Sequence, residues 1–413
     1  MTTNDQDETV PKGFSRRQLI AGAAALTAAG LVPKALYAAT AAPQLNGGGV
    51  LAYAGCYTPD GGGIYLFNVN LRTGALTQRK LFAGIANPSW ITFDLSRRYL
   101  YAANEIANFN GTTSGSVSAF RINRENGDLT PLNVVNSQGA TPVYLNPHPS
   151  GKFLFVANYD GGSIAVLPIR SDGSLGAPTD VKIDSGSVGP TTPTGAPPGS
   201  FANSGHDAPH AHFIHSDPSG RFVLHVDMGQ DRIYSWRFDA TAGTLSPAAV
   251  PFTSLPPGAG PRHLAFHPDG RLVYALTEES STLSAYGYNG STGALTLLQT
   301  VSALPSGFVG TSYGSEVALS ADGRFLYAAN RLHDSIATFA IDAGGGLTLI
   351  GHTQTEGDYP RSFAIDPTGH FFYAMNQRSD AITIFKLDPE TGKPVFTDQY
   401  VPVGSPARLA FLI

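Results

Sequence analysis

His267-Pro268-Asp269-Gly270-Arg271-Leu272-Val273-Tyr274 reads as a tight turn feeding a short apolar strand, and the chain writes it repeatedly. Ser320-Ala321-Asp322-Gly323-Arg324-Phe325-Leu326-Tyr327, Asp366-Pro367-Thr368-Gly369-His370-Phe371-Phe372-Tyr373 and Asp217-Pro218-Ser219-Gly220-Arg221-Phe222-Val223-Leu224 follow the same pattern. His148-Pro149-Ser150-Gly151-Lys152-Phe153-Leu154-Phe155 is a fifth copy, and Asp94-Leu95-Ser96-Arg97-Arg98-Tyr99-Leu100-Tyr101 a degenerate sixth. Proline presets φ, Asp or Ser bonds its own backbone, and Gly takes the left-handed position, so each copy predicts a β-hairpin. A further alternating run follows each hairpin, as in Ser335–Ile341 and Ala381–Leu387. A second turn, such as Thr292-Gly293-Ala294-Leu295 or Thr391-Gly392-Lys393, then leads into a fourth run. Four strands per repeat, at spacings of 46 to 69 residues, is the pattern of propeller blades.

The ends of the chain fix the blade count. Leu51-Ala52-Tyr53-Ala54-Gly55 matches a second strand and Ile64–Val69 a third, with no first strand ahead of them. Pro406-Ala407-Arg408-Leu409-Ala410-Phe411 matches the first strand Pro261-Arg262-His263-Leu264-Ala265-Phe266 and then stops. The C-terminal strand is therefore expected to complete the N-terminal blade and leave no inner edge unpaired. The expected fold is all-β, a seven-bladed β-propeller over residues 42–413. With 47 Gly, 30 Pro and only 14 % charged residues, the composition suits turns and strands.

Residues 1–41 have the form of a twin-arginine signal peptide: Arg16-Arg17, a weakly apolar run to Leu31, Lys34, and Ala39-Thr40-Ala41 as a cleavage site. This predicts a periplasmic or secreted protein, exported folded by the twin-arginine machinery, with no membrane attachment after cleavage. Four of the 26 Lys/Arg and three of the 31 Asp/Glu lie in that segment, leaving 22 basic and 28 acidic groups. No basic cluster remains, which speaks against a nucleic-acid partner. Cys56 is the single cysteine, so no intramolecular disulfide can form. A propeller of this size is expected to be a monomer.

Side chains are placed by counting from the turn proline or its replacement. A residue six before it should face a residue ten after it across the hairpin, at one rim of the channel. The six-before residues are Ser89, Val143, His212, Arg262, Ser315 and Arg361, and the ten-after residues are Glu105, Tyr159, Met228, Glu278, Arg331 and Gln377. Arg, His and Glu gathered at one mouth exceed what strand pairing requires, and their surplus positive charge suits an anionic substrate or an oxyanion. One position earlier stand Asn104, Asn158, Asn330 and Asn376, expected to bond backbone. His210 and His212 are an i, i+2 pair that would share one face of a strand. The arginines around them argue against a bound metal, and no cofactor is expected. The Gly/Pro/Ser/Thr-rich stretch 176–209 is expected to lie at the same mouth as a lid or shelf.

Pro209-His210-Ala211-His212, Gly260-Pro261-Arg262-His263, Ala157-Asn158-Tyr159-Asp160-Gly161-Gly162-Ser163, Asp227-Met228-Gly229-Gln230-Asp231-Arg232 and Ala329-Asn330-Arg331 together resemble the bacterial 6-phosphogluconolactonase family of seven-bladed propellers, related to fungal carboxy-muconate lactonizing enzymes. The resemblance implies His212, Arg262 and Glu278 as catalytic residues. His212 would serve as general base and Arg262 as the carbonyl-polarising group. Glu278 would orient His or water, or protonate the leaving alkoxide. Arg331 and Arg361 would anchor a carboxylate or phosphate, with His210, His263 and Glu105 as further substrate contacts. The expected reaction is hydrolysis of a small sugar-derived or acidic lactone. A lactone cycloisomerase using the same residues is one alternative, and an exported non-catalytic binding propeller is another.

Overall fold

The computed structural model describes residues 49–202 and 205–413, so the expected signal peptide lies outside the described residues. Seven four-stranded antiparallel sheets follow one another in chain order. The first closes as expected: Pro406–Leu412 pairs with Val50–Cys56, followed outward by Gly63–Val69 and Leu76–Ala83. The innermost strands of blades 2 to 7 are Pro88–Phe93, Pro142–Pro147, Ala211–Ser216, Pro261–Phe266, Gly314–Leu319 and Pro360–Ile365. Each lies against the next, and the last lies against Pro406–Leu412, so the ring is shut.

Burial follows the radius. The second strand of every blade is buried along its whole length, whereas an outer strand such as Leu76–Ala83 is largely exposed after its first residue. The tyrosine that ends the hairpin motif has a defined task. Tyr53, Tyr101, Tyr274, Tyr327 and Tyr373 donate their hydroxyls to the carbonyls of Gly127, Gly173, Gly345, Gly392 and Gly74, each in the outer turn of the next blade. Where the motif carries Phe155 and Leu224 instead, Thr179 and Ser235 donate to Gly243 and Gly293. Seven hydrogen bonds thus run once round the ring. The accepting glycine has a positive φ, and at Gly392 an added Cβ would stand 2.5 Å from the Phe325 ring. No side chain fits there.

The repeated asparagines are structural, as expected. Asn158, Asn330 and Asn376 donate to the carbonyls of Ser137, Ala303 and Thr355, and Asn104 to the hydroxyls of Ser116 and Ser118.

Removing the Tyr327 hydroxyl leaves the buried Gly392 carbonyl without its donor. Tyr327→Phe is therefore expected to cost about 1–3 kcal/mol of stability. Gly392→Ala should cost more, because it adds strain and overlap. Denaturant unfolding of both variants tests this; stability equal to the parent in both would show that the ring of bonds contributes nothing.

Candidate active site

The register differs from the expected one. The residue ten after the turn bonds the carbonyl eight before it: the amides of Glu105, Tyr159, Met228, Glu278, Arg331 and Gln377 donate to Asn87, Thr141, His210, Gly260, Tyr313 and Tyr359. The six-before residue is skipped. Pro261 pairs with Thr277 and His263 with Leu276, leaving Arg262 as a β-bulge. The same interruption occurs at Ser89, Val143, His212 and Arg361, at Ser315-Glu316, and at Ala407 in the closing strand. A bulge swings one side chain out of the pleat, and here it brings Arg262 to Glu278 although the two are not directly opposed.

The result is a cleft of about 240 Å³ lined by residues of six blades, among them Glu105, His212, Arg262, Glu278, Arg331 and Arg361. Arg262 Nε and Arg331 Nη2 stand 2.8 and 2.5 Å from the same Glu278 oxygen, Oε2. Arg262 Nη1 also donates to the Ser315 carbonyl, and Arg331 Nε to that of Tyr313 at 3.2 Å. The Arg331 guanidinium lies between the rings of Tyr313 and Tyr359, at 5.4 and 5.2 Å. Arg361 is held more loosely, with its nearest carboxylate, Glu105, at 3.6 Å and the Tyr57 ring at 4.9 Å. Glu105 in turn accepts a 2.6 Å hydrogen bond from the Tyr57 hydroxyl. Three guanidinium groups against two carboxylates leave one unit of positive charge.

Electrostatics assign protonation states that the residue types alone did not. Burial, reinforced by Arg262, His263, Arg361 and Arg331, holds the His212 imidazole well below its usual range, so it is neutral rather than one of the cations. Burial alone would raise the Glu278 carboxyl, but Arg331 and Arg262 outweigh it and keep the group ionised. Of its two expected roles, an ionised carboxylate suits the orienting one. Burial and Arg331 lower Arg262 to about 10, and it stays charged at neutral pH.

Two expected contacts fall elsewhere. His210 does not share a face with His212, because the strand starts at Ala211 and bulges at once. Its nitrogens meet the Asp207 carboxylate at 2.7 Å and the Tyr159 carbonyl at 3.1 Å, and its ring stacks on Tyr159. His210 therefore backs the cleft wall and is not among the lining residues. His263 lies under the floor, in a narrow gap between the cleft and the rest of the channel. Of the 176–209 stretch, Asp180–Ile183 is the outermost strand of blade 3, paired with Ser163–Val166, and only the later part runs toward neighbouring blades: His206 meets Asp231 at 3.0 Å, and Pro198 and Ser200 bond Gly310. None of the stretch's described residues lines the cleft.

Sequence counting missed Tyr313 and Tyr359. Both sit eight before the turn at positive φ, a position that in other blades carries Asn87, Thr141 or Gly260. It also missed the buried pair Glu316 and Arg408, which the repeat does not mark.

A family profile described as "Lactonase, 7-bladed beta-propeller" matches residues 51–411. The chain is 35% identical over 315 residues to the 6-phosphogluconolactonase of Bacillus subtilis, spanning 76% of this chain and 84% of that one. Among solved structures, the periplasmic gluconolactonase of Pseudomonas aeruginosa superposes with a TM-score of 0.79 at 34% identity, covering 88% of this chain and 99% of that one. A Bacteroides fragilis chain superposes with a TM-score of 0.80 at 32% identity, covering 90% and 100%. With the profile spanning all seven blades and full-length relatives above 30% identity, the chain belongs to the family of seven-bladed β-propeller lactonases.

Proposed function

We propose that the protein hydrolyses a small acidic or sugar-derived lactone, of the 6-phosphogluconolactone type, in the cleft at the charged mouth. The observation that carries the proposal is the meeting of a neutral imidazole, His212, with the Arg262–Glu278–Arg331 cluster in a cavity of about 240 Å³. The named relatives supply the reaction class, since one is called a 6-phosphogluconolactonase and another a gluconolactonase. In this reading His212 accepts a proton from water as it attacks the lactone carbonyl, and returns that proton to the ring oxygen as the acyl C–O bond breaks. Arg262, fixed through Nε and Nη1, offers its remaining amino group to the carbonyl oxygen as charge develops there. Glu278 orients the two guanidinium groups and takes no proton. Arg361, the cation with the most distant counter-charge, anchors the substrate's carboxylate or phosphate. Residues 42–413 form the catalytic domain, and residues 1–41 direct its export to the periplasm.

Acid release from aldono-lactones, phosphorylated and not, tests the reaction. His212→Ala and Arg262→Ala are expected to lower kcat/KM by about 10²–10⁴-fold. Arg361→Ala should raise KM for anionic lactones by tenfold or more while sparing neutral ones, given about 1.5–3 kcal/mol per charge-assisted hydrogen bond. Turnover no faster than spontaneous hydrolysis on every lactone would sink the proposal.

The pH dependence has a definite sign. A base held below its ordinary value loses activity only when the pH falls to that lowered value. With a neutral lactone, kcat/KM should stay level from pH 8 through about 6.5, the unperturbed His value. An acid limb centred there that persists in His212→Gln would show that another group is the base; one that vanishes with His212 would show that the cleft does not hold His212 below its ordinary range. For export, replacing Arg16-Arg17 by Lys-Lys should retain the precursor in the cytoplasm, as read by cell fractionation; an unchanged periplasmic fraction would exclude the twin-arginine route.

A further inference from the structure

Below the cleft floor lies a polar chain that the proposed chemistry does not use directly. His263 Nδ1 is 2.9 Å from Glu316 Oε1, and Arg408 Nη1 donates to Glu316 Oε2 at 3.0 Å. On its other side His263 Nε2 faces Arg262 Nη1 at 3.5 Å. His263 and Glu316 are 2 % and 5 % exposed. Aromatic rings wall them in: Trp90 and Tyr144 lie 5.4 and 5.2 Å from the His263 ring, and Arg408 stacks on Trp90 at 4.1 Å. Glu316 occupies the widest of the seven inner-strand interruptions, where both Ser315 and Glu316 leave the ladder. Ser315, the other skipped residue, supplies the carbonyl that holds Arg262 Nη1. One irregularity thus grips Arg262 twice, through Ser315 directly and through Glu316 by way of His263.

A buried charge chain of this kind is a poor stabiliser, because desolvation offsets most of its attraction and apolar side chains would fill the space as well. What it can do is choose a tautomer. A carboxylate can only accept, so Glu316 places the ring proton of neutral His263 on Nδ1 and leaves a lone pair on Nε2. That lone pair is what Arg262 Nη1–H requires. With the proton on Nε2, two N–H groups would point at each other and the guanidinium would turn away.

We propose that Glu316 and His263 are positioning residues that hold the Arg262 guanidinium in its productive orientation, Glu316 acting by setting the tautomer of His263. Burial, which lowers His263 to about 4, keeps the ring neutral and is consistent with this role. Burial would raise the Glu316 carboxyl, but His263, through its hydrogen bond, and then Arg408 outweigh it and keep the group ionised. The proposal rests on the reading of Arg262 as the carbonyl-polarising group.

The test combines ¹⁵N-histidine NMR with steady-state kinetics on the full mature protein. In the parent, His263 should show a protonated Nδ1 and an unprotonated Nε2; the reverse overturns the proposal without any variant. Glu316→Leu should lower kcat by about 10–100-fold, the cost of misplacing a reacting group by about 1 Å. KM should change less than threefold, and the Nε2–H form of His263 should become visible. Glu316→Gln, which still accepts from Nδ1–H, should retain both the tautomer and most of kcat. If folded Glu316→Leu keeps kcat within twofold while Arg262→Ala is inactive, the positioning role is wrong and the site reading survives. If Arg262→Ala is itself fully active, the site reading fails, and the positioning role with it.

Discussion

The structure depends on shutting a ring, and the bond that shuts it is written into the repeat. Each blade buries its second strand completely, so its neighbours must supply the partners for any polar group at the blade face. The carbonyl of the outer-turn glycine is such a group. An unsatisfied buried carbonyl costs more than its hydrogen bond gains, so the seven donors act mainly as a condition for close packing. Tyrosine suits the position because one side chain fills the inter-blade space with its ring and satisfies the turn with its hydroxyl. Blades 3 and 4 separate the two tasks, using Phe155 and Leu224 for volume and Thr179 and Ser235 for the bond.

Closure brings seven inner strands together at one axis, and the bulge in each turns that geometry into a site. A regular strand would alternate its side chains between the two faces of its own blade. Interrupting the ladder at one fixed position takes one side chain out of the pleat in every blade, and in four blades, at Val143, His212, Arg262 and Arg361, that side chain lines the cleft. The repeat is thus a scaffold of seven sockets, filled here by Ser89, Val143, His212, Arg262, Ser315, Arg361 and Ala407. Only three carry a group able to bear charge. Each charged one meets a counter-charge on a residue just past a second strand: Arg262 on Glu278 of its own blade, and Arg361 on Glu105, two blades further round the ring.

How far the site was legible follows from this construction. Counting from the turn proline found His212, Arg262, Glu278, Arg331, Arg361 and Glu105, since socket and counter-charge both recur at fixed distances from the turn. It gave the wrong register, because a bulge adds a residue that no residue type announces. His210 was placed beside His212 for the same reason: alternation holds only along an unbroken ladder. Protonation states were beyond reach, since they depend on how deeply His212 is buried and then on how closely Arg262, Arg361 and Arg331 converge on it from three other blades. Glu316 escaped notice because it fills the second place of a double bulge that occurs in one blade alone. The expected lid is present as a segment tied to Asp231 and Gly310, but Gly and Pro content says nothing about which side chains face a cavity.

The neutral state of His212 bears on which substrates the cleft can use. In the proposed role, an imidazole pushed well below its ordinary range is available as a base at every physiological pH but is a weak one, because the burial and the arginines that keep it unprotonated also oppose the charge it must take up. An anionic group bound at Arg361 would change that balance. It would offset one of the repelling charges and raise the basicity of His212 only while substrate is present. The developing oxyanion on Arg262 would act in the same direction as the water is attacked. In this reading burial and the surplus positive charge of the cleft keep the base unprotonated and ready, and the substrate's own charge adds strength by offsetting the second of these. A carboxylated or phosphorylated lactone would then gain in kcat as well as in affinity, whereas a neutral lactone of the same size would gain in neither.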